Sequence, residues 1–204
     1  VGFLHVSNDG SMDGALWQLL TFLILKEFSR MAVQLYPWQI ECIEQWKAHG
    51  GKGMVQVVTG AGKTQLAVSL ARELERRPSV GAIRVKIIVP KTFMVGQWTD
   101  MLVHNGVDRA SIGAWYGQQK DEPTRPYMIY VINSARYVVS RHILADLHQD
   151  LAVFLIADEC HHYASEENRK IFEFLHVSSQ HYYALGLSAT PQTTGFATIL
   201  APAL

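Results

Sequence analysis

Cysteine is scarce in this chain, with two in 204 residues, and one of them, Cys160, sits inside an Asp-Glu-Cys-His run. That count and placement argue against a secreted disulfide framework, so a reducing, intracellular (cytoplasmic) setting is expected. Excess charge is lacking too. The 18 Lys and Arg balance 18 Asp and Glu, so no global field draws the chain to nucleic acid or an anionic membrane, and any polyanion contact has to be local. Long hydrophobic runs are also missing. The apolar stretch Leu16 to Leu25 falls short of the ~20 residues a membrane span needs. It has neither a basic segment before it nor a small-residue cleavage pattern after it, so neither a signal peptide nor a membrane partner is expected. No internal repeat or low-complexity tract is present.

What is there fits a folded domain: 49% of the residues are hydrophobic, and the length suits one core with room for an appendage. The chain opens on Val1 and ends on Ala-Pro-Ala-Leu, and we expect it to be part of a longer protein. Residues 1–30 read as an extension or the end of a preceding domain. Within them, Ala15 to Phe28 reads as a helix apolar around more than one face, packed on this domain or on a neighbour. From Met54 onward the pattern alternates strand and helix. Strands are expected over 54–58, 84–89, 110–115, 127–132, 152–157 and 182–187, and helices over 63–77, 92–103, 135–147 and 166–175. Residues 118–126, with two prolines and mixed charge, read as a surface loop. Such alternation predicts an α/β fold with a mostly parallel sheet and helices on both faces.

Residues 57–64 read Val-Val-Thr-Gly-Ala-Gly-Lys-Thr. Of the usual phosphate-loop pattern, Gly, four residues, Gly-Lys-Ser/Thr, only the first glycine is missing, replaced by Val57. Gly60 and Gly62 let backbone amides turn toward phosphate oxygens, and the helix that starts there directs its free N–H groups at the same anion. Thr59, Gly60, Ala61, Gly62, Lys63 and Thr64 are therefore expected to bind the phosphates of ATP. Lys63 would neutralise the β- and γ-phosphates, and the Thr64 hydroxyl would ligate Mg²⁺.

The strand over 152–157 delivers a second motif, Asp158-Glu159-Cys160-His161-His162. Asp158 is expected to hold Mg²⁺ and Glu159 to orient and deprotonate the attacking water, the two jobs that phosphoryl transfer to water needs. Cys160 and the two histidines invite a zinc reading, which we reject because three consecutive residues seldom converge on one ion. A Cys–His hydrolase is weaker still, since neighbours in sequence rarely reach nucleophile–base geometry. His161 is expected to hydrogen-bond within the nucleotide site.

These boxes, with Leu185-Gly186-Leu187-Ser188-Ala189-Thr190-Pro191 downstream, resemble the first motor lobe of superfamily 2 helicases and translocases. The Asp-Glu-Cys-His box, together with Lys91 and Thr92 after the second strand and Gln97-Trp98 beyond them, is most similar to the restriction-enzyme subunit and XPB-like (ResIII) branch. The resemblance spans roughly residues 33–195 and implies a RecA-like three-layer sandwich over 31–204. It also implies an ATP-dependent motor acting on nucleic acid, more in keeping with DNA than RNA, and a second RecA-like lobe that completes the ATP site. By the same resemblance Gln39, in Leu35-Tyr36-Pro37-Trp38-Gln39, would read adenine, although Tyr36 stands where many relatives carry arginine. Ser188, Ala189 and Thr190, with His161, would couple hydrolysis to movement. Lys91, Thr92, Asn133 and Ser134, on loops at the carboxyl edge of the sheet, are nucleic-acid candidates. Trp98 and Trp115 could stack bases, but helical spacing favours core packing for Trp98. An RNA helicase, or a nucleotide-gated binding module without motor activity, are the alternatives.

Overall fold

The computed structural model describes residues 34–176, 181–190 and 204. The expected helix over 15–28 and everything from Pro191 to Ala203 lie outside the described residues. The chain forms two compact units, Val1–Gln34 and Leu35–Leu204, and the second carries the elements below.

Helix α1 (Pro37–Ala48) leads into β1 (Lys52–Gln56), α2 (Lys63–Glu75), β2 (Ile83–Val89) and α3 (Phe93–His104). Then come β3 (Ile112–Tyr116), β4 (Gln119–Lys120), β5 (Tyr127–Val131), α4 (Ile132–Leu147), β6 (Ala152–Asp158) and β7 (Tyr182–Ser188). Two 3₁₀ segments, Cys160–Tyr163 and Asn168–His176, lie between β6 and β7. The strands form one sheet in the order β1-β7-β6-β2-β5-β3-β4. Every pairing is parallel except the short β3–β4 hairpin. A parallel sheet needs both faces covered, and here they are.

Side-chain parity divides the core. On β6, Ala152, Phe154 and Ile156 face one hydrophobic layer, together with Leu66 and Leu70 of α2 and Val95, Trp98 and Leu102 of α3. Val153, Leu155 and Ala157 face the other, with Val139 and Ile143 of α4 and Ile171 and Phe174 of the second 3₁₀ segment. The pleat alternates strictly, so Asp158, which continues the even-numbered set, belongs on the α3 side.

Several expected boundaries shift for local reasons. The first strand is 52–56, not 54–58, because its pairing with β7 runs from Lys52 to Gln56 and the glycine loop then leaves the sheet. The segment expected as an α-helix over 166–175 is 3₁₀-helical from Asn168 to His176; its buried Ile171 and Phe174 are three residues apart, the repeat of a 3₁₀ turn. Helix α4 starts at Ile132 rather than at 135, so Asn133 and Ser134 lie in its first turn and not on a loop. Within the surface loop of 118–126, residues 119 and 120 pair with β3. Among the described residues no helix is long and apolar enough to cross a membrane.

Candidate functional site

Because the six long strands are parallel, every connection that leaves a strand toward its following element leaves from the same edge. The glycine loop follows β1, Ser188 ends β7, Asp158 ends β6, Lys91 and Thr92 follow β2, and Asn133 and Ser134 follow β5. The expected site residues thus line one rim.

At the loop, Gly60 and Gly62 take positive φ values of 84° and 97°, a region that side-chain-bearing residues rarely adopt. A Cβ at Gly60 would meet nothing within 4 Å, whereas one at Gly62 would lie 2.9 Å from Gln39 Nε2. Thr59 and Gly60 are exposed, and Ala61, Gly62 and Thr64 are half-buried. Helix α2 starts directly at Lys63. The buried Lys63 ammonium donates to the Val57 carbonyl at 3.0 Å and lies 3.7 Å from Glu159 Oε1. The Val57 N–H in turn donates to the Ser188 carbonyl at 3.1 Å, which ties the loop to the end of β7.

Gln39 is buried in the first turn of α1. Its Oε1 accepts the Tyr36 N–H at 2.8 Å and its Nε2 donates to the Gly62 carbonyl at 2.9 Å. Both ends of the amide are therefore engaged within the chain, one capping its own helix and the other holding the phosphate loop. Each end keeps one hydrogen-bonding position to spare, but the side chain is 1% exposed. Tyr36 is 62% exposed beside it.

The acidic pair is built by β6 and the turn after it. Asp158 is 5% exposed and its Oδ2 accepts the Trp98 indole N–H at 2.8 Å. Burial pushes its carboxyl above the usual carboxylate range and the neighbouring Glu159 charge adds to that, while the indole, the Glu159 amide and Lys63 oppose it. Glu159 is half-buried and takes a left-handed conformation, φ 50° and ψ 49°, which turns its carboxylate from the strand direction back toward Lys63. Beneath them the fully buried Tyr163 hydroxyl is shared between the carbonyls of Ile88, at 3.0 Å, and Asp158. That crossbar joins the ends of β2 and β6.

His161 connects this box to the end of β7: its Nδ1 lies 2.8 Å from Ser188 Oγ and 3.5 Å from Glu159 Oε2. Ser188 Oγ also accepts the Thr190 N–H at 3.0 Å. Ala189 is half-buried between them. The His162 ring lies tilted against that of His161, with ring centroids 4.1 Å apart. Burial, and then the His161 and Lys91 charges, lower its pKa against a raising influence from Glu159. Cys160 turns away into the core, where its thiol contacts Met54 Sδ at 3.8 Å and burial pushes it up to about 12.

Lys91, Thr92 and Asn133 are exposed and Ser134 is half-buried, all on the same rim. Trp115, a stacking candidate in the sequence, is engaged within the chain: its ring makes an edge contact with His142 and lies under the Lys120 ammonium. Trp98 packs in the core, as its helical spacing suggests, yet its nitrogen reaches the site, a role that sequence reasoning missed. Two patterns could have exposed it, the core-facing stripe Val95, Trp98, Leu102 on α3 and the parity of β6 that aims Asp158 at that stripe.

The donor set suits a hard cation: the Thr64 hydroxyl and the Asp158 carboxylate are oxygen ligands of the kind Mg²⁺ selects, beside a lysine and a helix N-terminus prepared for an anion.

Two relatives match most of this chain in sequence. Dicer homolog 3b of Oryza sativa subsp. japonica, an endoribonuclease, is 28% identical over 186 residues, 84% of this chain and 11% of the relative. The DNA 3'-5' translocase XPB2 of Sulfurisphaera tokodaii is 26% identical over 174 residues, 85% of this chain and 34% of the relative. The chain therefore spans about a third or less of these relatives. Among solved structures, the Hef helicase domain of Pyrococcus furiosus superposes with TM-score 0.64 at 16% identity, over 83% of this chain and 36% of that one. The UvsW helicase of bacteriophage T4 superposes with TM-score 0.60 at 18% identity, over 83% of this chain and 57% of that one. The fold is the RecA-like helicase fold. Residues 32–193 match the family of the type III restriction enzyme res subunit (ResIII), and the chain belongs to that family.

Proposed function

We propose that this chain is the ATP-binding lobe of an ATP-dependent DNA helicase or translocase, one that couples ATP hydrolysis to movement on nucleic acid. The observation that carries the reading is the convergence of a glycine loop and an acidic pair at one sheet edge, with Lys63 3.7 Å from Glu159. A family relative named as a DNA translocase favours DNA as the track, and one named as an endoribonuclease keeps an RNA track as the second reading.

In this mechanism the amides of Thr59, Gly60, Ala61 and Gly62 and the start of α2 cradle the phosphates. The Lys63 ammonium exchanges the Val57 carbonyl for phosphate oxygens. Mg²⁺, when bound through Thr64 and Asp158, supplies positive charge to those oxygens. Glu159 orients the attacking water and accepts its proton. His161, Ser188, Ala189 and Thr190 relay the state of the site to the rest of the lobe, and Lys91, Thr92, Asn133 and Ser134 offer phosphate contacts along the rim. A second RecA-like lobe, C-terminal in the full-length protein, would supply arginine to the transferred phosphate. Because such a finger is worth about 10³–10⁵ in rate, this lobe alone is expected to bind ATP and hydrolyse it weakly.

The test is ATP binding and turnover by the full-length protein, with Lys63→Ala and Glu159→Gln variants, in the presence of duplex DNA, single-stranded DNA or RNA. Lys63→Ala is expected to lose ATP binding. Glu159→Gln is expected to keep it while turnover falls by about 10²-fold or more. Intact stimulated turnover in either variant overturns the assignment, and stimulation by RNA but not DNA selects the RNA reading.

A further inference from the structure

Trp98 lies in the second turn of α3 and is 1% exposed. A buried indole is ordinary core packing on its carbon side, but its N–H has to find an acceptor. The acceptor here is the buried Oδ2 of Asp158, at 2.8 Å. A phenylalanine would fill most of the indole's volume without the bond. A carboxylate whose two oxygens rotate freely presents either one to a cation; one whose Oδ2 is committed to a fixed donor has its plane and its remaining oxygen defined. The Tyr163 hydroxyl holds the main chain of the same residue through its carbonyl, so backbone and side chain are each braced from a different element.

We propose that Trp98 is a positioning residue for the metal site: by holding Oδ2 of Asp158, its indole N–H orients the carboxylate so that Oδ1 serves the Mg²⁺ shell. The proposal rests on the reading of Asp158 as the metal carboxylate. Outer hydrogen bonds of this kind fix ligand orientation and tune affinity in other metal sites. The indole is suited to the task because it donates one hydrogen bond, has no acceptor of its own and cannot itself ligate the ion. Its carbon skeleton packs in the core beside Val95 and Leu102, while its nitrogen serves Asp158, so the two roles belong to different atoms of one side chain.

The experiment is calorimetric titration of the full-length protein with ATP, once with Mg²⁺ and once with chelator, for wild type, Trp98→Phe, Asp158→Asn and Lys63→Ala. The quantity read is the ratio of the two dissociation constants, the strengthening of ATP binding that Mg²⁺ confers. Trp98→Phe is expected to reduce that ratio by about tenfold, the lower end for loss of an outer-shell partner, with metal-free ATP binding within about twofold of wild type. A merely structural tryptophan would move both constants together or neither. Should Trp98→Phe fail to fold, replacing Trp98 with benzothienylalanine removes only the N–H and takes its place. A wild-type ratio in the Trp98 variant, beside a lost ratio in Asp158→Asn, overturns the positioning role alone. A wild-type ratio in Asp158→Asn overturns the metal assignment of Asp158 and the positioning role with it. Lys63→Ala checks the phosphate reading separately, through metal-free binding.

Discussion

His161 Nδ1 sits 2.8 Å from Ser188 Oγ, and that hydroxyl oxygen also accepts the Thr190 N–H at 3.0 Å. One serine thus joins the acidic box to the segment after β7, bridging the ends of two adjacent strands. If this junction relays the nucleotide state, His161→Ala and Ser188→Ala should each lower nucleic-acid-stimulated turnover about tenfold, roughly 1.4 kcal/mol of activation free energy. Ser188 meets the glycine loop through its backbone carbonyl, which accepts the Val57 N–H and survives both substitutions, so ATP affinity should stay near wild type. The double variant should be no worse than the poorer single, because both remove the same interaction. A double-mutant cycle on stimulated ATPase rates checks this, and additive losses would place the two residues in separate roles.

Away from the site, Lys86 is fully buried on β2. Its ammonium lies 2.8 Å from Asp146 Oδ2 of α4 and donates to the Pro123 carbonyl at 2.8 Å. Burial lowers the Lys86 pKa and the Asp146 charge opposes it. Removing the carboxylate strands a charge in the core, so Asp146→Ala is expected to destabilise by about 3–5 kcal/mol. Replacing both partners, Lys86→Met with Asp146→Leu, should recover most of that loss, since paired burial of charge has its own desolvation penalty. Urea unfolding midpoints of the two variants decide it.

His142 gives the fold a pH dependence. Its ring sits against Trp115 and Tyr130, with the Tyr130 hydroxyl 2.9 Å from Nδ1. Burial, then the Lys86 and Arg141 charges, lower its pKa from 6.5 to about 4. The folded state therefore holds the neutral imidazole while the unfolded chain takes up a proton. Stability from this group is complete above pH 6.5 and is lost as pH falls toward about 4. His142→Gln should flatten the fall of the urea midpoint across that window. An unchanged slope would assign the acid sensitivity to other groups.

How far the site could be read from sequence depended on whether its determinants are local. Gly60, Gly62, Lys63 and Thr64 act through a strand, a turn and a helix start that adjoin in sequence, and Asp158 with Glu159 closes an apolar strand run, so both boxes and the α/β alternation were legible. The start of α4 was not: its N-cap residue, Val131, offers no side-chain cap, so no sequence signal marks where the strand stops and the helix takes in Asn133 and Ser134. The 3₁₀ run after Asn168 carries an apolar spacing that at this length does not distinguish it from an α-helix. Gln39 and Trp98 bond across 23 and 60 positions. Those contacts depend on how α1 and α3 pack on the sheet, and only the α3 stripe taken with the parity of β6 hinted at the second.

Glu159 and Asp150 are the two non-glycine residues with positive φ among the described residues. A left-handed backbone disfavours a side-chain-bearing residue by about 1–2 kcal/mol, and glycine escapes most of that penalty. Asp150 lies in a turn, where short polar residues tolerate the conformation. Glu159 has no such excuse, with a longer side chain and a charge held against Lys63. Folding and phosphate chemistry thus favour different residues at one position: the domain could be made sturdier there by giving up its carboxylate, so thermostability is a poor guide to which variants of residue 159 still work.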